Sequence, residues 1–423
     1  MRATATLDVN INSPSEIRAG CGSIKDLPQI VRQVAALHAP AARSLSAFLL
    51  TDAGVSGAGI ADRVAKILTD TGISARIYRD IPANPSSVAL DLAAEAIRGE
   101  DATVLIAIGG GSVLDSAKGV GLLARNSGTA LEFCQRAAPE AACLPIIAIP
   151  TTSGTGAETN GFGVIEDPAL KAKFYISDES AVPKVAILDP ELTVGVPPIV
   201  TAATGFDALI HGIESLTSIG ANPISMAYAG QAVQLVSQAL PEAVADGSNL
   251  EARSQMLWGA HLAGRALSIS GLGIVHGLGH AITALTGAPH GIALASVAEA
   301  VLADQERRHP ELYAYVDSSF SVANGVVAMA NGVSVAAEAV TAESALANRV
   351  NQGTNQIPGP ERVAVRVGAL ANEIGIRHSL TELGVTAEMI PEVVDKALRD
   401  PVTSNTATIP SRAELTSLLE GLV

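Results

Sequence analysis

Between Ser46 and Ile149 the chain repeats one pattern. A short aliphatic run is followed by a polar turn, then by a stretch with apolar residues at every third or fourth position. The runs Ser46–Thr51, Ala75–Tyr78, Thr103–Ile108 and Pro145–Ile149 read as buried strands, and Ala61–Thr71 and Ser86–Gly99 as helices that cover them. Such alternation predicts a parallel sheet with helices on its faces. FGVIED, KFYISD and KVAILDP read as further strands, and the pair Pro197-Pro198 closes the series. Beyond it the texture changes to long Ala/Leu-rich helical patterns, separated by turns at SIGANP, ADGSN, SGLG and TGAPHG. The expectation is therefore an α/β N-terminal domain over residues 1–198 and an all-α C-terminal domain over residues 199–423. Val316–Pro360 is rich in Ala, Val, Ser and Asn, and reads as two short helices joined through NQGTNQIPGP.

Composition narrows the function classes. With 48% hydrophobic and 16% charged residues the chain of 423 residues is not a disordered one, and with only 3% aromatics its core must be aliphatic. Lys and Arg number 27 against 42 Asp and Glu, and the resulting charge of −15 repels phosphate backbones and anionic lipid. Neither nucleic acid nor a membrane surface is expected as a partner. Mean hydropathy is positive, at +0.34. Even so, TVLIAI and LPIIAI stop well short of the roughly 20 residues a membrane-spanning helix needs. The segment MRATATLDVNINSPSEIRAG alternates apolar and polar residues and lacks the apolar stretch of a secretory signal, so a cytoplasmic location is expected. Cys21, Cys134 and Cys143 show no C-x-x-C spacing, and reduced thiols are the default.

The strand Thr103–Ile108 runs straight into Gly109-Gly110-Gly111-Ser112 and then into the helical run VLDSAKGVGLL. Glycines admit a ligand close to the backbone, and a helix N-terminus offers unpaired N–H groups and the positive end of a dipole, which together suit a pyrophosphate. A second polar turn, Pro150 to Gly156, follows another strand and carries hydroxyls suited to a ribose or phosphate. Two such turns at the carboxyl ends of adjacent strands frame one crevice. Asp52, just after the first strand, stands where a carboxylate would accept from ribose hydroxyls and repel a 2′-phosphate. Taken singly, these features also describe plain connectors: GGGS is not the G-x-G-x-x-G fingerprint, and an Asp at a strand end commonly forms a turn. The nucleotide reading rests on the two turns together.

Asp207 and His211 are four apart in GFDALIHGIES, which on a helix places them on one face about 6 Å apart along the axis. His276 and His280 repeat that spacing in GIVHGLGHAI, and His290 follows in APHG. On one unbroken helix His276 and His290 would lie about 21 Å apart, but TGAP breaks the helix and allows a return. A carboxylate with three imidazoles suits Fe(II) or Zn(II) rather than Mg or Ca. Taken singly, His211 and His276 read better as hydrogen-bonded core histidines and His290 as a turn residue; the set reads as a metal site. His280, one turn past His276, is suited to relay a proton. His38, His261, His309 and His378 lack paired spacing and read as surface or packing residues. A nicotinamide held by the first half and an ion held by the second would make a hydride-transfer site, the ion polarising the substrate oxygen.

The blocks GGGSVLDSAK, PTTSGTGAE, ATGFDALIHGIES and GLGIVHGLGHAITALTGAPHG, in that order between Gly20 and about Ala300, resemble those of the iron-containing (group III) alcohol dehydrogenases. The resemblance implies a dinucleotide-binding α/β domain, a helical metal-binding domain and a cleft between them. It implies that Asp207, His211, His276 and His290 hold one divalent metal, Fe(II) first and Zn(II) second, with His280 as proton relay beside the nicotinamide. Gly110, Gly111, Ser112, Thr151, Thr152 and Thr155 would surround the pyrophosphate and nicotinamide ribose, with Asp115 nearby and Lys173 lining the site. Asn84 in IPANPSS matches a turn by the nicotinamide, and Asp52 the acidic position associated with NAD over NADP. The implied activity is NAD-linked oxidation of a small alcohol, or the reverse reduction of an aldehyde, in a homo-oligomer.

Where the family often has PNPT this chain has ANPSS. The stretch after Val316 also finds no match, so primary alcohol, diol and hydroxyacid all stay open as substrates. Rival readings within the superfamily are a glycerol dehydrogenase, a maleylacetate reductase or a dehydroquinate synthase-like lyase; retention of all four ligands weighs against the metal-free reductase. Rivals of other classes are a metal-dependent phosphohydrolase and a non-catalytic NAD sensor.

Overall fold

A computed structural model of the chain describes residues 16–42, 44–135, 139–167, 172–320 and 362–423. The first half runs β1 (Glu16–Ala19), α1 (Leu27–His38), β2 (Ser46–Leu50), α2 (Ala53–Gly57), α3 (Ile60–Thr69), β3 (Ser74–Tyr78), α4 (Ser87–Arg98) and β4 (Val104–Gly109). It continues through α5 (Gly111–Leu123), α6 (Ala130–Gln135), β5 (Ile146–Pro150), β6 (Phe162–Asp167), β7 (Ala172–Ser177) and β8 (Val185–Leu188). Six strands form one parallel sheet in the order β1-β8-β5-β4-β2-β3. The strands expected from sequence are all present. The exception is β1, an edge strand that the alternating N-terminal pattern did not single out. β6 and β7 stand apart from the sheet as an antiparallel hairpin against α5.

The apolar runs explain the layers. Every residue of β4 is buried, as a strand covered on both faces requires. Leu105 and Ala107 join one core with α4 and α5, while Val104, Ile106 and Ile108 join the other with α1 and α3. Each such side chain contributes roughly 1.5–3 kcal/mol by leaving water. The chain leaves β2 toward β3 at one side and leaves β4 toward β5 at the other, so the direction of winding reverses between them. In an open parallel sheet that reversal opens a crevice at the carboxyl ends of the two strands. Here those ends lead into Asp52 and Gly109–Ser112.

After β8 the described elements are mainly helical: α7 (Pro198–Thr217), α8 (Pro223–Ala245), α9 (Leu250–Ser270), α10 (Ile274–Thr286), α11 (His290–Arg308), α12 (Pro310–Ser319), α13 (Arg362–Glu373), α14 (Ile390–Arg399) and α15 (Arg412–Glu420). The breaks between α7 and α11 fall at the four turns read from the sequence. Proline opens α7 and α8, where its missing N–H costs nothing, and the side chains of Asn222 and Asn249 cap α8 and α9. α7 is buried almost all round, packed by α8, α9 and α11. Residues 321–361, which take in most of the two-helix expectation for Val316–Pro360, lie outside the described residues. Among the described residues no single helix is long and apolar enough to cross a membrane.

Candidate active site

The glycine turn and the second polar turn follow neighbouring strands, β4 and β5, and Thr151 N–H donates to the Gly109 carbonyl between them. A Cβ added at Gly111 would lie 2.5 Å from Thr155 Cγ2, and one at Gly110 3.1 Å from Thr152 Oγ1. The glycines thus serve first to let the two turns close on each other, and the ligand-facing backbone follows from that. Gly110 is the N-cap of α5 and no side chain caps the helix. Val113 N–H turns back to the Gly110 carbonyl, and the Gly111 and Ser112 N–H groups face no acceptor among the described residues, so they suit one from outside. Ser112 Oγ accepts from the Asn84 N–H at 3.3 Å, which draws the Asn84 turn to the same place; Asn84 adopts φ 50, a left-handed conformation asparagine tolerates. Asp52 caps α2, its Oδ1 accepting from Val55 N–H at 2.8 Å. Asp115 lies on α5, where it meets the buried Lys118 Nζ at 3.2 Å and accepts from Val164 N–H. That bonding ties the β6–β7 hairpin to α5. Lys173 lies on β7, with its side chain outside the described residues.

The metal candidates converge. His211, His276 and His290 bring their Nε2 atoms to 3.3, 3.2 and 3.6 Å from Asp207 Oδ1. Ligand atoms of Asp207, His276 and His290 all lie within 4.8 Å of one another. Asp207 and His211 share one face of α7, and His276 stands near the start of α10, with its ring stacked 4.7 Å from that of His211. His290 is the first residue of α11. A side chain at the next position would collide with the Ala203 carbonyl, so Gly291 is what lets α11 start against α7.

Ligands at about 2.1 Å from a divalent ion stand roughly 3.0–3.4 Å apart, which is close to the spacing seen here. Electrostatics point the same way. Burial pushes the Asp207 carboxyl up, yet its histidine neighbours outweigh burial and hold it well below the usual carboxylate range. Burial pushes His211 down to about 4. Burial also opposes charge on His276, but bonds to Asp207 and Glu214 prevail and raise it to about 9. The carboxylates of Asp207 and Glu214 thus favour a cation between them, and a divalent ion would answer the same field more strongly. Asp207, His211 and His276 are buried, whereas the His290 side chain is 28% exposed, so the cluster opens on that side.

Two carboxylates that the sequence reading missed complete the picture. Glu214 accepts from His276 Nδ1 at 2.6 Å, from Val275 N–H at 2.7 Å and from Gly273 N–H at 3.0 Å. It therefore caps α10 and directs His276 Nε2 at Asp207. Its signal was present, because Asp207, His211 and Glu214 follow i, i+4, i+7 on one helix face. Asp400 accepts from His280 Nδ1 at 2.8 Å; a separation of 120 residues gave no local clue. His280 joins the cluster edge, with its ring stacked 5.1 Å from His290. His261 is buried and paired with Glu158 at 3.0 Å, a packing role as its spacing suggested.

The profile of the iron-containing alcohol dehydrogenases matches residues 14–190, and that of the family's C-terminal part matches residues 201–423. The NAD-dependent methanol dehydrogenase of Bacillus methanolicus is 31% identical over 401 residues, 95% of this chain and 96% of that protein. A solved 1,3-propanediol oxidoreductase aligns with TM-score 0.84 at 28% identity, covering 98% of this chain and all of that one. The sulfoacetaldehyde reductase of Bifidobacterium kashiwanohense, solved with NAD+, aligns with TM-score 0.79 at 27% identity over 98% of both chains. By sequence and by fold, the chain is an alcohol oxidoreductase that belongs to the iron-containing alcohol dehydrogenase family.

Proposed function

We propose that the protein is an NAD-linked, metal-dependent dehydrogenase of a small alcohol, working reversibly on the corresponding aldehyde, with residues 1–198 holding the dinucleotide and residues 199–423 the metal. The observation that carries this reading is the convergence of three imidazoles on one Asp207 oxygen, at a helix that the second polar turn meets through Gly154. Asp207, His211, His276 and His290 would hold the ion, with Fe(II) preferred to Zn(II). When bound, the ion supplies Lewis acidity and the nicotinamide the hydride-accepting carbon.

The chain's own groups do the rest. The α5 N-terminus and the Thr151, Thr152 and Thr155 turn would seat the pyrophosphate and ribose, with Gly110, Gly111 and Ser112 at closest approach. Asn84 would flank the nicotinamide, and Asp115 and Lys173 would lie around the same site. Asp52 has committed Oδ1 to Val55, so Oδ2 would take a ribose hydroxyl and disfavour the 2′-phosphate of NADP. His280, beside the open side of the cluster, would take the proton an alcohol gives up. Relatives that are NAD-dependent or solved with NAD+ support this choice of cofactor. The free Cys21, Cys134 and Cys143 fit a reducing compartment, the cytoplasm.

The test is elemental analysis of purified protein. Reconstitution with Fe(II) or Zn(II) follows, with NADH formation read across primary alcohols, diols and hydroxyacids. Activity that appears only with metal, on at least one substrate, is expected. NADH binding without turnover of any substrate would refute the reading.

A further inference from the structure

We propose that Asp400 is a positioning residue for His280. On this inference the segment after α14, and not the metal-bearing helices alone, sets which nitrogen of the active-site imidazole exchanges its proton. The inference rests on the reading of His280 as the proton relay.

Asp400 Oδ2 lies 2.8 Å from His280 Nδ1, and both side chains are 16% exposed, so the pair is largely shielded from competing water. The carboxylate does not owe its place to His280. Its backbone N–H closes α14 on the Lys396 carbonyl, and its Oδ1 accepts from Val402 N–H at 3.1 Å, capping the short helix Pro401–Asn405. That short helix is fastened on three further sides. Thr403 Oγ1 donates to the Ala397 carbonyl at 2.7 Å, Ile219 N–H donates to the Asn405 carbonyl at 2.8 Å, and Ser218 and Thr406 form a bridge. The segment packs against α10, the helix that carries both His276 and His280. Asp400 is thus a fixed acceptor set against the His280 ring.

An ionised carboxylate only accepts, so the bond places the proton on Nδ1 and confines acid–base exchange to Nε2. In the oxidation the proton of the alcohol O–H bond would pass to Nε2, while a bound nicotinamide would supply the acceptor for the hydrogen and electron pair of the C–H bond as the C=O bond forms. Nδ1–H stays bonded to Asp400, whose charge offsets the imidazolium.

The experiment compares the metal-reconstituted wild type with Asp400→Ala, Asp400→Asn, His280→Ala and the Asp400→Ala/His280→Ala double variant. Asp400→Ala is expected to lower kcat about 10- to 100-fold, with the alcohol KM, NADH binding and metal content unchanged. Asp400→Asn keeps its amide oxygen for Nδ1–H at the cost of the Val402 N–H bond, and is expected to fall less than Asp400→Ala. In the His280→Ala background Asp400→Ala is expected to cost nothing further, because its effect passes through the missing ring. An equal further loss in that background, or loss of metal or NADH binding in both Asp400 variants, would overturn the proposal. Nitrogen NMR of the histidine rings in the zinc-loaded protein decides it without turnover: Nδ1–H in the wild type and mixed tautomers in Asp400→Ala are expected. The same tautomer in both sinks the proposal. Failure of the wild type to oxidise any alcohol sinks only the functional reading.

Discussion

Replacing Glu214 by Gln exchanges one oxygen for an NH2 group and keeps the shape, yet the surroundings make it a severe test. The carboxylate accepts three hydrogen bonds through two oxygens: Val275 N–H on Oε1, and Gly273 N–H and His276 Nδ1–H on Oε2. An amide has one accepting oxygen. If its NH2 group faces Val275, a buried donor meets a donor, at a cost of about 1–3 kcal/mol. If it faces His276, the ring can be satisfied only by moving its proton to Nε2, the atom that should meet the metal. Removing an outer carboxylate of this kind typically costs 10- to 100-fold in metal affinity, or about 1.4–2.7 kcal/mol. Glu214→Gln should therefore weaken binding of Zn(II) by that factor in a competition titration against a chelator. The melting temperature of the metal-free protein should also fall, because the cap on α10 is damaged. NADH affinity, set in the other half of the chain, should not change. Metal affinity equal to the wild type would refute the claim that Glu214 aims His276.

His276→Ala should abolish metal retention and alcohol oxidation while NADH still quenches or shifts in fluorescence; turnover equal to the wild type would remove the metal assignment. Metal affinity should fall about tenfold per pH unit below 9, since His276 is raised to about 9 and must release its proton to ligate, and should level off above it. Calorimetry in buffers of different ionisation heat should accordingly find about one proton released per ion at neutral pH. Gly111→Ala should weaken NADH binding without affecting metal content, and Gly111→Ala/Thr155→Ala should recover part of the loss, because the added methyl meets Thr155. Asp52→Gly should relax discrimination against NADP in steady-state kinetics while costing only a few tenths of a kcal/mol in stability, since glycine is itself an acceptable N-cap.

The elements that sequence reading recovered are those whose signals are local. β4 and β5 are unbroken apolar runs, and the breaks around α8 to α11 carry Gly, Pro and Asn at positions where a helix cannot continue. The candidate metal cluster was legible because Asp207/His211 and His276/His280 repeat a four-residue spacing and TGAP supplies the return. β1 was hidden because a parallel edge strand owes its place to β8, about 170 residues later. Asp400 was hidden for the same reason, since a bond across 120 residues leaves no mark on the neighbours of either partner. The hydrolase alternative drew on the same ligands and the same turns. What separates it is the family to which both halves belong, information that no single spacing carries.

The order in which the donors occur along the chain has a consequence for biosynthesis. Asp207 and His211 leave the ribosome well before His276 and His290, and Asp400 follows later still. At roughly 5–20 residues per second, the first two are made on the order of 10 s before His290. During that interval a nascent chain offers one carboxylate and one imidazole of the proposed ligand set. On that proposal the ion would be loaded late in the making of each molecule, and a polypeptide released early would lack the donors that His276 and His290 supply.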